Sequence, residues 1–471
     1  MTFHLHPLCL SLLASWLLAA CATPHVTQPP PAVAPAQFKE TDVWQRAALT
    51  ETLPVSDAWW TLFKDPVLDD LEARLVIGNE NLKVSMAQVT LARAALDASR
   101  SAMFPTLSAG LGGTRSENTA GPNAVKTASP RNALTASANS SWEVDVWGRL
   151  SEASRGAQET LQASANDLAA VRLSAQATLA QTYFSLRTAE AQRLVLTNNV
   201  AAYQRSLRLT EARYSGGVAA RTDVLLAQTQ LKSAQALVAE SIALRAQLEH
   251  AIAVLLGLPP SSLGLERSAK VPVAPAVPEL LPATLLQRRP DIAAAQRRVV
   301  AAYAQIGVTD AAFYPALILS SSAGYTNTSL SNLVSAPNLL WSLGTSMTQA
   351  IFDGGQRKFA SAQARAVAEQ VTASYRQTVL VALQEVEDNL VLADQLARES
   401  QVQREALQAA KMNMDITLEQ YRAGTVSYLN VVSAQTAALT IENSLLIVQN
   451  RQLAAVNQIL KNIAGRWEHA R

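Results

Sequence analysis

Residues 314–355 read YPALILSSSAGYTNTSLSNLVSAPNLLWSLGTSMTQAIFDGG, and their pattern decides the fold. Two runs within them alternate at period two. In the first, Leu317, Leu319, Ala323 and Tyr325 oppose Ser320, Ser322 and Gly324. In the second, Trp341, Leu343, Met347 and Ile351 oppose Ser342, Gly344, Ser346 and Thr348. Side chains of an extended chain point alternately to its two faces, so each run predicts a strand with one apolar and one polar side. Residues 326–338, rich in Asn and Ser, supply a polar loop between them. Large apolar residues outward and small polar ones inward is the pattern of a membrane β-barrel wall around a wet pore. A soluble hairpin resting on a core alternates in the same way, and this stretch alone leaves both open.

The stretch occurs twice. Phe104-Pro105-Thr106-Leu107 resembles Tyr314-Pro315-Ala316-Leu317, and Leu107, Ala109 and Leu111 then alternate with Ser108, Gly110 and Gly112. After a loop over 117–132, Leu134, Ala136, Ala138, Trp142, Val144 and Val146 alternate with Thr135, Ser137, Asn139, Glu143 and Asp145. Further on, Tyr214-Ser-Gly-Gly217 matches Tyr421-Arg-Ala-Gly424 and Gln228 matches Gln435, at one common offset. A constant offset is the mark of a tandem duplication, each half reading helix, hairpin, helix, turn, helix.

Between the hairpins lie long Pro-free segments. Residues 148–214 hold Gly156 as their one interior glycine, and 356–421 match them. At the α-helical rise each would be on the order of 100 Å long, which predicts coiled-coil packing. Gly-containing turns lead into return helices at 222–256 and 427–463. Small residues such as Ala360, Ala362, Ala364, Ala366 and Ala368 permit close helix approach. Upstream, Asp65 and Pro66 suit the N-cap and first position of a helix reaching about Met103, with Leu71, Leu75, Leu82, Val89 and Leu96 near heptad spacing. Pro290 and Asp291 open the second half with the same chemistry.

The predicted organisation is a signal segment at 1–20, a tether at 21–58, a first repeat at 59–258, a Pro-rich linker at 259–289 and a second repeat at 290–471. The apolar run at 8–20 is too short to span a bilayer and ends in Leu18-Ala19-Ala20-Cys21, which reads as a lipobox with Cys21 as the acylated residue. No Lys or Arg precedes it, and an ordinary signal peptide with an incidental cysteine is the other reading. The Pro-rich residues 24–35 predict a flexible tether.

Composition narrows the function. A net charge of +2 gives no electrostatic case for nucleic acid, and 49% apolar content with only 5% aromatic suits packed Ala-rich helices. The five histidines, His4, His6, His25, His250 and His469, pair with no Cys, Asp or Glu at metal-ligand spacing. No nucleophile elbow, phosphate loop or dinucleotide fingerprint is present. Glu143 and Asp145, two apart near a strand end, read as lumen-facing acids. The expectation is a protein with no catalytic residue, no metal and no cofactor.

The segments WWTLFKDPVLDDL, SWEVDVWGR, RRPDIAAAQRRVVAAYAQIGVTDAAFYPAL and IFDGG resemble, in that order, the recurring motifs of TolC-type outer-membrane factors, nearest to the lipidated NodT/OprM-like branch. The resemblance runs from Trp59 to Gly465. It implies a mostly α protein with a membrane β part: a homotrimer whose four strands per chain close a twelve-stranded barrel, above a periplasmic α-barrel of long helices. Four strands alone close no barrel, and open edges are not tolerated in lipid, so a trimer answers a physical need. The implied role is the passive, gated exit duct of a tripartite efflux pump exporting small molecules such as drugs. Its partners would be a periplasmic adaptor, an inner-membrane transporter of the RND or another class, and outer-membrane lipid, with no nucleic acid.

The same resemblance places Gly217 and Gly424 at the periplasmic tip, where many relatives carry aspartates in a motif LDxxDAE/Q. Here Asn430 and Ser433 stand at the two acidic positions, while Asp223 in the first half matches Asn430. Gly217, Asp223, Gly424, Asn430 and Ser433 are therefore the candidate gate residues. Asp223 as a mere helix N-cap is the structural alternative. Two other functions compete with efflux: the outlet of a type I protein secretion system, and a structural coiled-coil lipoprotein without a pore.

Overall fold

A computed structural model describes residues 35, 38–40, 58–117, 130–276 and 288–463. The signal segment, Cys21, most of the tether, and Pro278 and Pro282 of the linker lie outside the described residues. The chain divides into two compact units. One holds residues 88–165 and 294–375, the other 32–87, 166–293 and 376–471, so the long helices have residues in both.

The first unit carries the sheet. Strands β1 (Thr106–Ser116), β2 (Arg131–Val144), β3 (Ala316–Asn327) and β4 (Leu339–Thr348) are antiparallel neighbours in that order. The central pair, β2 with β3, joins the two halves of the sequence, with Ala138 opposite Ala323. No strand pairs with the free side of β1 or of β4 among the described residues.

The second unit is helical. A 3-10 turn, Trp59–Phe63, precedes α1 (Pro66–Gly78), and α2 (Glu80–Ser101) follows. Asp65 caps α1 as expected, its Oδ1 accepting from Val67 N at 3.0 Å and Leu68 N at 3.4 Å, with Pro66 in the first turn. The single helix expected from Pro66 to about Met103 is instead broken at Asn79. That residue is extended, its Oδ1 accepts from Leu82 N at 3.0 Å, and its Nδ2 donates to Leu255 O at 2.7 Å. A side chain that caps the next helix and also holds a distant carbonyl offsets part of what the break leaves unpaired.

The long helices are α3 (Arg149–Ser215, 67 residues) and α6 (Gln356–Ala423, 68 residues). Their return partners are α4 (Arg221–Leu255) and α7 (Tyr428–Ile463), and α5 (Pro290–Ala311) opens the second half. The main core gathers Trp59, Phe63, Leu68, Leu71 and Leu75 with Tyr183, Phe184 and Leu186 of α3, Ile252 of α4, Leu390 of α6 and Ile459 of α7. Trp59 is fully buried and meets Phe63 edge-on, while Phe63 lies 4.6 Å from Phe184 between ring centroids. The helix α7 is apolar and long enough to cross a membrane by composition alone, but Leu453, Val456, Ile459 and Leu460 pack in this core, and Tyr428 and Val431 pack in a second cluster with Tyr421.

Linker residues that follow α4 are fixed by buried charge. Arg187 donates to Glu190 and to Glu266 O, both at 2.8 Å, and Arg245 donates to Glu190, to Glu249 and to Leu265 O. Leu265 N and Ser268 N return hydrogen bonds to Glu249 and Glu190 at 2.7 and 3.0 Å. Each buried charge therefore has opposite charge and backbone partners, the condition under which burial is tolerated.

Candidate functional site

The register of the sheet sorts its side chains into two faces, because directly paired residues of antiparallel strands point the same way. One face carries Leu107 and Leu111, Ala136 and Ala138, Leu317 and Leu319, and Trp341, Leu343 and Met347. The other carries Ser108, Gly110 and Gly112, Thr135, Ser137 and Asn139, Ser320, Ser322 and Gly324, and Ser342, Gly344 and Ser346. All four period-two runs thus fall in phase. The polar face bonds across strands: Ser322 and Ser342 hydroxyls lie 2.8 Å apart, and Thr135 Oγ1 donates to Gly112 O. The apolar face is bare, with Leu111 87% and Trp341 75% exposed. The strands have 11, 14, 12 and 10 residues, enough to cross a hydrocarbon layer at a tilt.

Where strands give way to helices, the polar chemistry is local. Asp145 accepts from Leu150 N at 3.0 Å and from Ser151 N and Oγ at 2.8 and 2.6 Å, so it starts α3. Burial opposes ionisation there, but the Ser151 and backbone hydrogen bonds outweigh it and hold the carboxyl below its usual range. Glu143 is held by both arms of Arg149 at 2.9 and 2.7 Å. Glu143 lies in phase with Asn139 on the polar face and is also an ion-pair partner, while Asp145 is a capping residue. Asp353 repeats the cap before α6, accepting from Gly355 N and from Arg357. Aromatic rings gather at these junctions: Trp142 Nε1 donates to Met103 O, Trp147 Nε1 to Pro315 O, and Trp147 stacks on Tyr314 at 4.9 Å. Amphipathic rings of this kind line both edges of a membrane barrel.

The helical turns form a second constellation. Gly217 (φ 74°) and Gly424 (φ 79°) both sit in the left-handed region that a glycine enters without penalty. Each ends its long helix in one pattern: Gly217 N donates to Tyr214 O and Val218 N to Arg213 O, while Gly424 N donates to Tyr421 O and Thr425 N to Gln420 O. Asp223 and Asn430 are each the third residue of a return helix, α4 and α7. Ala220, not Asp223, is the N-cap of α4, and no side chain caps it. Asp223 is half-buried, whereas Asn430 and Ser433 are exposed. Asn430 Oδ1 accepts from Ser427 Oγ at 3.4 Å, and Ser433 Oγ donates to Leu429 O at 3.0 Å.

Arg213, which the motifs did not single out, joins Tyr421 and Gln435 of the repeat in tying the two turns together. Arg213 donates to Tyr421 O and Arg422 O, both at 3.0 Å, with its guanidinium 4.9 Å from the Tyr421 ring. Tyr421 reaches Thr210 Oγ1 and meets Tyr428 edge-on at 5.3 Å, and Gln435 donates to Ser206 Oγ at 3.2 Å. Burial pushes the Tyr428 phenol up, with Tyr421, Tyr203 and Asp223 adding to the effect. Among the described residues no group of three His, Cys, Asp or Glu side chains could hold a metal ion.

Comparison with known proteins adds to this geometry. The chain is 28% identical over 468 residues to the pyoverdine export outer membrane protein OpmQ of Pseudomonas aeruginosa, covering 97% of this chain and 96% of that one. It is 27% identical to the toluene efflux pump outer membrane protein TtgF of Pseudomonas putida, covering 98% and 97%. The fold superposes on the outer-membrane channel OprN with a TM-score of 0.86 at 28% identity, over 94% of this chain and 99% of that one. The structural likeness is to TolC-like outer-membrane channels, and the sequence matches the outer membrane efflux protein family over residues 74–258 and 281–465. Those spans cover well over half of the chain, which belongs to the outer membrane efflux protein family.

Proposed function

We propose that this outer-membrane efflux protein works as a passive duct closed by three copies of the chain. The observation that carries the reading is the sheet: four strands, a bare apolar face, a polar face, and free sides on β1 and β4. An open edge in lipid leaves backbone groups unsatisfied at several kcal/mol each. Pairing β4 of one copy with β1 of the next removes every edge, and three copies give twelve strands, wide enough for a wet lumen. Neither catalytic residue nor cofactor is needed, since transport through such a pore draws its energy from an inner-membrane transporter reached through a periplasmic adaptor. Pyoverdine and toluene, the cargoes in the names of two relatives, support a small-molecule load over a secreted protein. Cys21, acylated, would anchor the amino terminus in the same membrane. Gly217 and Gly424 mark the turns at which the duct narrows, with Asp223, Asn430 and Ser433 at its mouth.

Native mass spectrometry of the full chain extracted in mild detergent tests the reading, together with conductance in planar bilayers. Three chains per particle and stepwise ion conductance are expected. A monomer that conducts nothing overturns it.

A further inference from the structure

One cavity of the helical unit has no part in a duct. It measures about 850 Å³ and is walled by residues 61–67, by Tyr183 and Arg187 of α3, and by linker residues 266–276. Its lining carries four cations, Lys64, Arg187, Arg267 and Lys270, against two acids, Asp65 and Glu266. Arg187 and Asp65 are already engaged. Arg187 holds Glu190, and Asp65 caps α1 and accepts from the Tyr183 hydroxyl at 2.7 Å. Lys64, Arg267 and Lys270 form no ion pair among the described residues, and they outnumber the remaining lining acid, Glu266.

This cationic lining stands on fixed ground. Linker residues 265–268 are held by Arg187, Glu190, Arg245 and Glu249 through hydrogen bonds of 2.7–3.0 Å, so Arg267 projects from a pinned backbone, and Lys270 N donates to Ser268 Oγ at 3.3 Å just beyond it. Lys64 is set by a different device. Its φ of 52° makes it the one non-glycine residue in the left-handed region among the described residues. It is the C-cap of the 3-10 turn, its N donating to Thr61 O at 3.0 Å, so this conformation closes the turn and fixes where the side chain starts. The remaining wall mixes Thr61 and Ser268 with apolar residues, among them Val67 and Val273, which are 38% and 81% exposed.

The geometry points to a binding site for a multiply charged organic anion, its anionic groups on Lys64, Arg267 and Lys270 and its apolar part against Val67 and Val273. Several cations lining one cavity give a multiply charged anion more than one charge-assisted contact. The volume suits a small molecule.

Isothermal titration of the full chain in detergent with benzene-1,3,5-tricarboxylate tests the site, with citrate and pyrophosphate as separate arms. Saturable binding of one tricarboxylate per chain is expected, tighter than citrate, which lacks the apolar part. The triple variant K64Q/R267Q/K270Q should weaken it by at least about tenfold, while K83Q/K232Q, two exposed lysines elsewhere, leaves it unchanged. Lys64→Gly guards against misfolding, because it relieves the backbone yet removes one cation, and it should also weaken binding. The proposal is overturned if no saturable heat appears at millimolar ligand, or if the triple variant binds as well as the parent. Tighter binding of pyrophosphate than of the aromatic acid would overturn the organic-anion class.

Discussion

Glu72 of α1 has no exposed surface, and neither of its carboxyl oxygens has a hydrogen-bond partner. Burial pushes the carboxyl up to about 9, with the Arg172 charge opposing and the Asp69 charge adding to the rise. In the native state at neutral pH the group is therefore protonated, whereas in the unfolded chain it ionises near its ordinary value of 4.5. The folded state binds the extra proton, so this contribution is complete below pH 4.5 and is lost progressively as pH rises towards 9. The slope across that window is at most about 1.4 kcal/mol per pH unit. Glu72→Gln, neutral and of the same shape, should flatten it, which melting curves read by circular dichroism between pH 5 and 9 will show. An unchanged slope in the variant would mean that other groups set the pH dependence. A second expectation at this scale concerns Cys21, the residue proposed for acylation. Cys21→Ser should abolish palmitate labelling while the sheet still enters the membrane, and labelling that persists in the variant rejects acylation at this residue.

At the scale of the element, phase is everything in the strands. A slip of one residue moves every side chain to the other face, and the register places Leu343 with the apolar set and Ser342 with the polar one. If the apolar face meets lipid, Leu343→Arg near mid-bilayer should cost roughly 2–4 kcal/mol per chain, and Ser342→Arg much less. Assembly measured on semi-native gels decides it: greater loss with Ser342→Arg would invert the assignment of faces. This phase was readable in the sequence because period-two alternation is local, needing only neighbours such as Leu343, Gly344 and Thr345. Helix ends were readable for the same reason, as Asp65-Pro66 and the glycines at 217 and 424 act within one turn. What was hidden depends on distant partners. Asn79 breaks the first helix by holding Leu255 O, 176 positions away. The ion pair of Glu143 with Arg149 and the bonds from the start of α3 to Asp145 form only once strand gives way to helix. Nothing near Arg213 in the sequence announces that its partners are the carbonyls of Tyr421 and Arg422.

For the whole molecule, symmetry turns single residues into rings. In a threefold assembly one aspartate at a narrow mouth becomes three negative charges facing one another, in a place where water screens them poorly. Asp223 is the acid at that level of the return helices, and Asn430 holds the equivalent third position of α7 without charge. The alternative, that Asp223 merely caps α4, has lost its ground because Ala220 occupies the cap. Helix-dipole stabilisation by an acid in the first turn remains, worth about 0.3–1 kcal/mol, and it does not depend on what lies across the pore. The two roles separate in a conductance experiment. If Asp223 lines the mouth, multivalent cations added from the periplasmic side should block current weakly in the parent, and Asp223→Asn should relieve that block. Restoring acids with Asn430→Asp and Ser433→Asp places two further rings at exposed positions and should deepen block at the same cation concentration, with the effect fading as ionic strength rises. Conductance without added cations serves as the control, because a collapsed turn would alter it in every solution. Block that is identical in the parent and in all these variants would remove Asp223, Asn430 and Ser433 from the pore mouth and leave Asp223 a helix-dipole residue alone.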